Sequence, residues 1–417
     1  MFSINTICSI FLFLSLFNDA TNGQFVNNIP SFNFGNEYYD NTGTEVKSLP
    51  DAIKNVEKFI GQIMDASGTP SLVFSISIRG KLIWEKAWGY SDLENNVKAN
   101  LDTKHRLASI SKPITTALIA TYVDQGLIHF DDPISKHINV HDFPLKYWNG
   151  HLVNITVGQL LDHTAGTHVT TLNDFDNVTI GLNCTQMIHK FADEKLLFKP
   201  GTNFAYSNYG YQLLGAIIES VSGKSYQQTM KEFFHKYQLD STYVETSDLI
   251  LTNRSHYYRL LNQYLPKENI PTMVYDDLFH LVGWWPSGGL MSTTNDLIKF
   301  GNLIINSYKN RTDHSIMSYE TLKEMWIKRT TNFPNFPWHP NNDYGYGWFI
   351  AYISPQVNPN LKHRNFVWHS GGLIGATTFL IIYPEEEIVA AVFSNKGYVA
   401  GLDNIAIYAA ESIYPFV

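Results

Sequence analysis

Short runs of alternating apolar residues stand near both ends of this chain, and a long stretch dominated by helical spacing separates them. Leu72 to Ile78 and Leu82 to Gly89 read as two strands joined by the tight turn Arg79-Gly80-Lys81. At the other end Phe366-Val367-Trp368, Thr377 to Ile382 and Ile388 to Ser394 read as three more, with Pro384-Glu385-Glu386-Glu387 turning the chain between the last two. Ala52 to Met64 precedes the first group with helical spacing of Ile53, Val56, Phe59, Ile60 and Ile63, and Leu402 to Tyr414 closes the chain as an amphipathic helix. The arrangement predicts an α+β fold, a sandwich in which one antiparallel sheet is assembled from both chain ends and covered by the terminal helices. The middle, about residues 115–300, is expected as a helical subdomain with short helices such as Val157 to Leu161 and Tyr209 to Val221, and Tyr319 to Ile327 reads as a further helix. An active site is expected in the cleft between the two parts.

The chain has 417 residues, 44% hydrophobic and 14% aromatic, enough for a large core in one large domain or two smaller ones. A net charge of -8 with no basic block argues against nucleic acid as a partner. Ile4 to Phe17 is almost continuously apolar, ends in Asn18-Asp19-Ala20-Thr21-Asn22-Gly23 and is too short to span a bilayer comfortably. No Lys or Arg precedes the run, which argues against a mitochondrial presequence. Residues 1–23 are therefore expected to be a secretory signal peptide, 24–49 an extended N-terminal arm and 50–415 the catalytic domain. The alternatives are a membrane anchor or a mitochondrial location. Acceptor motifs begin at Asn154, Asn177, Asn183, Asn253 and Asn310, in keeping with a glycosylated, secreted protein. Cys8 would leave with the signal, so Cys184 would stand alone as a small buried apolar residue.

Three patterns carry chemistry. Ser109-Ile110-Ser111-Lys112 places a hydroxyl and an amine three residues apart, on one face of a helix near its N-terminus. A partly dehydrated lysine there can lose its proton and act as base for the serine. Tyr206-Ser207-Asn208 offers a phenol for proton transfer and an amide that orients the lysine and a substrate carbonyl. His369-Ser370-Gly371-Gly372 ends a predicted strand, and its glycines let the backbone approach a ligand. His163 is expected to pack beneath the site or hold a loop. The fifteen histidines show no metal-ligand spacing, so neither a metal nor an organic cofactor is expected.

In their order and wide spacing these patterns resemble the serine beta-lactamase and penicillin-binding protein superfamily. The resemblance is to its class C beta-lactamase, D-Ala-D-Ala carboxypeptidase and esterase branch, and within it to the animal LACTB group. It covers about residues 50–415 and extends to Gln159-Leu160-Leu161-Asp162-His163-Thr164-Ala165-Gly166, Pro286-Ser287-Gly288-Gly289-Leu290-Met291-Ser292-Thr293 and Tyr344-Gly345-Tyr346-Gly347-Trp348. It implies the serine beta-lactamase/DD-peptidase-like fold. Ser109 would be the nucleophile, Lys112 and Tyr206 a coupled pair sharing the general-base work, and Asn208 the group that orients the substrate amide. The N–H groups of Ser109 and Gly372 would form an oxyanion hole, and His369, Ser370 and Gly371 would line the substrate. The family's Lys-Thr-Gly is replaced by His369-Ser370-Gly371, a variant familiar among LACTB and esterase-like members. A titratable imidazole in place of a permanent cation disfavours beta-lactam carboxylates.

The function expected is a serine hydrolase working through an acyl-enzyme on amide or ester bonds. A LACTB-like peptidase acting on a peptide or small acyl substrate comes first, and a small-ester hydrolase with the same site second. The alternative from another class is a non-catalytic binding or structural protein. Animal LACTB assembles into filaments, so the resemblance also implies self-association as a homo-oligomer. No stable membrane insertion is expected.

Overall fold

A computed structural model describes residues 46–169, 182–246, 250–260, 273–275, 284–330, 343–352, 365–373 and 375–417. The expected signal peptide, most of the N-terminal arm and Asn177 lie outside the described residues.

Helix α1 (Leu49–Ser67) opens the fold. Ser48 caps it by accepting a hydrogen bond from the Asp51 N–H, and Gly68, with φ of 63°, ends it in the left-handed region. Strands β1 (Ser71–Ile78) and β2 (Lys81–Asp92) form the expected hairpin, followed by the two-residue strands β3 (Val97–Lys98) and β4 (His105–Arg106). A 3-10 turn, Ala108–Ile110, leads into α2 (Ser111–Asp124). The middle contains the hairpin β5 (Lys146–Trp148) and β6 (His151–Val153), then α3 (Val157–Leu161), α4 (Cys184–Ile188), α5 (Asn208–Ser222) and α6 (Tyr226–Lys236). Short strands β7 (Tyr243–Val244), β8 (Tyr258–Leu260), β9 (Met273–Tyr275) and β10 (Leu290–Ser292) precede α7 (Thr294–Tyr308) and α8 (Tyr319–Met325). The chain then returns to sheet through β11 (Asp343–Tyr344), β12 (Phe349–Tyr352), β13 (Asn365–Leu373), β14 (Ala376–Tyr383) and β15 (Ile388–Ser394), and ends in α9 (Leu402–Ile413).

The main sheet has eight strands in the order β11-β12-β13-β14-β15-β1-β2-β3. The two chain ends meet at the antiparallel β15–β1 pair, where Ser75 faces Ala391. All seven residues of β15 are buried because both sheet faces are covered. Ala390 and Val392 point to the layer formed by α1 and α9, against Phe59, Ile60, Ile405 and Ala409. Val389, Ala391 and Phe393 point the opposite way, into the core shared with α2, α5 and α7. Each such fully buried Val, Ile or Phe side chain contributes about 1.5–3 kcal/mol. Helix α7 approaches the sheet closely at Gly301, where an added Cβ would lie 2.4 Å from Val389. The helical middle thus packs on one face of the sheet, and the Ala108–Ile110 turn that carries Ser109 lies against β13.

Candidate active site

The serine turn is tied down before Ser109 is reached. Arg106 pairs in register with Met291 of β10, and its guanidinium grips the buried Glu245 carboxylate at 2.8–3.0 Å while stacking 3.9 Å over the Tyr257 ring. Arg254 reaches the same carboxylate. The Leu107 N–H donates to Leu290 O at 2.8 Å, and the Thr378 hydroxyl of β14 donates to Leu107 O at 2.8 Å. Ala108 then takes a φ of 47°, a costly conformation for a residue with a Cβ. Strand β13 passes so close that a Cβ on Gly371 would fall 2.1 Å from Leu107 O and 2.2 Å from Thr378 Oγ1. Glycine is required there because two backbones meet.

Ser109 is half-buried, and Lys112 lies one helical turn on and is fully buried. Lys112 Nζ is 3.1 Å from Ser109 Oγ, 2.8 Å from Asn208 Oδ1 and 2.8 Å from Ser287 O. It also lies over the Tyr206 and Tyr211 rings, 4.7 Å and 5.5 Å from their centroids. None of these neighbours carries a formal negative charge. Burial therefore holds the Lys112 ammonium well below its ordinary pKa range, toward the free amine. The two carbonyl oxygens can only accept, so they take two N–H bonds. The remaining tetrahedral direction of the nitrogen faces the serine hydroxyl.

Tyr206 hydrogen-bonds Ser109, which favours the phenolate, but burial outweighs this and raises the phenol above its ordinary range. Its ring packs 4.3 Å from that of His163. His163 has a φ of 63°, and its Nδ1 accepts from the Ser207 N–H at 3.2 Å. Burial first and the Lys112 charge second keep His163 neutral. Ser207 caps α5 through its hydroxyl, which fixes Asn208 at the first turn with its amide against Lys112.

His369 is buried on β13. Its Nδ1 lies 2.7 Å from Ser370 O and its Nε2 3.1 Å from the Tyr344 hydroxyl. Burial, and next the Lys112 charge, push its pKa down to about 3. The titratable imidazole expected from the sequence is thus a neutral one with both nitrogens engaged. In sheet order β13 lies between β12 and β14, yet β12 pairs only as far as Trp368. From His369 to Leu373 no strand among the described residues pairs on that side, where Gly372 is exposed and Ser370 half-buried.

Ser109, Lys112, Tyr206 and Asn208 therefore meet, and His369 with Gly371 flanks them. Ser287, Tyr211 and Tyr344 have no role in the sequence reading, although Ser287 and Tyr344 lie within the family-like phrases and Tyr211 within Tyr209-Gly210-Tyr211-Gln212-Leu213-Leu214-Gly215, the equally family-like run after Tyr206-Ser207-Asn208. Among the described residues, Asp92, Glu94 and His256 bring ligand atoms within 4.8 Å of one another, as a metal would require. Asp92 ends β2, Glu94 lies in the turn after it and His256 in the segment before β8, and exposed acidic groups are common without an ion. Of the expected glycosylation sites, Asn154, Asn253 and Asn310 are exposed, whereas half-buried Asn183 caps α4.

A half-buried serine in contact with a buried lysine at the start of a helix, beside an antiparallel strand, sits here on a beta-lactamase/penicillin-binding fold. A family model described as beta-lactamase matches residues 56–413, and the chain belongs to that family, whose members are generally serine hydrolases. The human serine beta-lactamase-like protein LACTB, mitochondrial, is 28% identical over 80% of this chain and 72% of its own length. Among solved structures, the octameric penicillin-binding protein homologue from Pyrococcus abyssi is 27% identical, with a TM-score of 0.70 over 86% of this chain and 76% of that one. A class C beta-lactamase, at 16% identity, shares the fold with a TM-score of 0.67 over 88% of this chain and 96% of that one.

The secreted location expected from the N-terminal run is corrected by these relatives. The human, bovine and mouse LACTB proteins matched over at least 80% of this chain are all named as mitochondrial. A short apolar run without flanking cations is weak as an address, and acceptor motifs of three residues recur by chance. Among the described residues no helix is long and apolar enough to cross a membrane.

Proposed function

We propose that this protein is a serine hydrolase that cleaves amide or ester bonds through an acyl-enzyme on Ser109, with peptides as the first substrate class and small esters as the second. The observation that carries the reading is the Lys112 amine, clamped between Asn208 Oδ1 and Ser287 O and aimed at Ser109 Oγ. In the first step Lys112 Nζ takes the hydroxyl proton as Ser109 Oγ bonds to the substrate carbonyl carbon. The resulting oxyanion would be held by the N–H groups of Ser109 and Gly372. Tyr206, protonated at rest and hydrogen-bonded to Ser109, gives its proton to the leaving nitrogen or oxygen and recovers one from Lys112. The scissile bond breaks and the acyl-enzyme remains. Water then attacks the ester carbon, with its proton passing to the Tyr206–Lys112 pair, and Ser109 is released. Asn208 serves twice, as acceptor for Lys112 through Oδ1 and as donor to the substrate carbonyl through Nδ2.

A phosphonate probe with a good leaving group, which phosphonylates an activated serine with loss of that group, is expected to label Ser109 in the wild type and to spare Ser109→Ala. A library of peptides and esters is expected to show cleavage that the same variant abolishes. Equal labelling of both proteins, or equal cleavage, would overturn the assignment. Failure of a correctly folded wild type to cleave any member would favour the alternative of a self-associating, non-catalytic protein. That alternative draws support from the octameric state of the Pyrococcus abyssi homologue.

A further inference from the structure

Tyr206 lies in neither helix nor strand, within the short segment that leads into α5, so its placement has to come from outside its own backbone. The N–H groups on either side of it both end on His163. The Ala205 N–H donates to His163 O at 3.0 Å, and the Ser207 N–H donates to His163 Nδ1 at 3.2 Å. The imidazole also lies against the tyrosine ring, 4.3 Å between centroids, and meets the Phe204 ring edge-on at 5.7 Å. One residue thus touches every position from Phe204 to Ser207. Beyond this grip, the Tyr206 hydroxyl hydrogen-bonds Ser109.

The backbone of His163 is held without help from its ring. It follows α3 with a φ of 63°, in a turn where the Thr164 and Ala165 N–H groups both donate to Gln159 O at 3.0 Å. Asp162 Oδ1 accepts from the Thr164 N–H and hydroxyl, and the Gly201 N–H donates to Thr164 O at 2.8 Å. The imidazole is therefore left for the site. An Nδ1 that accepts from a peptide N–H has no hydrogen of its own, so the neutral ring carries it on Nε2. Nε2 is buried beside the Tyr211 and Tyr344 rings, which lie 5.5 Å and 5.0 Å away, centroid to centroid. A second ring proton would turn Nδ1 into a donor facing a donor. Burial first, then the charges of Lys112 and His369, keep that proton off.

We infer that His163 is the positioning residue of Tyr206: it pins the backbone before and after the tyrosine and backs its ring, so that the phenol stays on Ser109 and can hand its proton to the leaving group. The inference rests on the serine hydrolase reading and on the donor role proposed there for Tyr206. Proton delivery by a placed side chain is worth about 10²–10⁴ in rate and suffers from displacements of about 1 Å. A leaving group that departs as a stable anion needs no such proton. Loosening the clamp is therefore expected to penalise poor leaving groups selectively, whereas a general loosening of the fold would penalise all leaving groups alike.

Variants of the full chain and a matched pair of esters test this. The esters share one uncharged acyl group and differ in the leaving group, nitrophenoxide in one and ethoxide in the other. Their kcat/KM values are compared, so the common deacylation step does not enter. His163→Phe keeps a ring beside Tyr206 and removes the acceptor, and the ethyl ester is expected to lose about tenfold or more relative to the nitrophenyl ester. His163→Asn sets an amide oxygen where Nδ1 stood and suits the positive φ, and is expected to return the ratio to within about threefold of the wild type. Tyr206→Phe is expected to shift the ratio at least as far, with no further shift when His163→Phe is added to it. The ratio is read within each protein, so loss of folded enzyme cancels. An unchanged ratio in His163→Phe, with a wild type that cleaves both esters, overturns the positioning role and leaves the hydrolase reading standing. A further shift on the Tyr206→Phe background overturns it as well, and so does a ratio in His163→Asn no nearer the wild type than in His163→Phe. Absence of cleavage by the wild type overturns the hydrolase reading and the inference with it. The imidazole nitrogens of 15N-histidine-labelled wild type, with His163 assigned by its loss from His163→Asn, give a readout without turnover. A hydrogen on Nε2 is expected, and one on Nδ1 overturns the clamp even where His163→Phe fails to fold.

Discussion

Asn208→Asp exchanges an amide for a carboxylate of the same shape, with the acceptor oxygen 2.8 Å from Lys112 Nζ. In the wild type that nitrogen has only neutral partners, and burial favours the free amine. The variant sets a negative charge against it. At an effective dielectric of about 20, the attraction across 2.8 Å is about 6 kcal/mol. The cost of burying the new carboxylate returns roughly half of this. Each ~1.4 kcal/mol that remains is a factor of ten in proton affinity, so the acid limb of the rate profile is expected about two pH units higher. On the acid limb, below both values, the free base falls about a hundredfold and kcat/KM with it, and the loss shrinks as pH rises. The assay is kcat/KM on an uncharged chromogenic ester from about pH 5 to pH 10, with the rate of phosphonate labelling of Ser109 followed in parallel. Loss of the Nδ2 donor to substrate adds a second, pH-independent loss. The diagnostic part is therefore the recovery as pH rises. An unmoved acid limb, or a loss of the same size at every pH, would refute Lys112 as the base.

Two further substitutions probe how the site is held. Gly371→Ala forces a Cβ to within 2.1 Å of Leu107 O and 2.2 Å of Thr378 Oγ1, so β13 must move away from the serine turn. Thermal unfolding is expected to show a loss of about 1–3 kcal/mol. Turnover is expected to fall by at least about tenfold, and wild-type activity would contradict the close approach. Asp162→Asn concerns the polar layer behind the tyrosines. Burial raises the Asp162 carboxyl to about 6 from its ordinary 3.8, so the folded chain holds that proton more tightly than the unfolded one. Its effect on stability is absent below the unfolded pKa, and a destabilisation accumulates as pH rises to about 6. Both Thr164 bonds go to one oxygen, Oδ1, which asparagine retains. The variant is expected to gain about 1–3 kcal/mol above pH 6 and to lack the decline between pH 4 and 6, as read by urea unfolding. A variant less stable than wild type at neutral pH would show that the electrostatic attraction to Arg329 outweighs the burial cost.

The fold was legible where periodicity and length suffice. β1 and β2 with their tight turn, β14, β15 and the two terminal helices were read from apolar spacing alone, and their joining into one sheet followed from the need to cover two groups of strands. The two-residue strands β3, β4, β7 and β11 were not legible, because they are too short to carry a period. Strand β13 was read only to Trp368. Its continuation, His369-Ser370-Gly371-Gly372, has no apolar alternation because close packing on the serine turn replaces ordinary burial there. Ser287 acts on Lys112 through its backbone oxygen, for which a side-chain pattern holds no signal. Tyr344 meets His369 only through the pairing of β11, β12 and β13, and a tyrosine-rich chain conceals it.

The proton states are where spacing and structure part furthest. From the sequence, Lys112 and Tyr206 share the base role, since a nearby cation can lower a phenol. Burial acts on both groups at once and in opposite senses. It drives the ammonium toward the neutral amine and the phenol away from the phenolate. One desolvated pocket thus pushes apart a pair of groups that charge alone would couple, and under the proposed mechanism the lysine would accept the serine proton and the tyrosine would donate one. The same desolvation makes His369 neutral. A site with a buried free amine, a protonated phenol and a neutral imidazole carries little net charge before substrate enters. Under the proposed mechanism its oxyanion would be met by fixed N–H dipoles rather than by an ion.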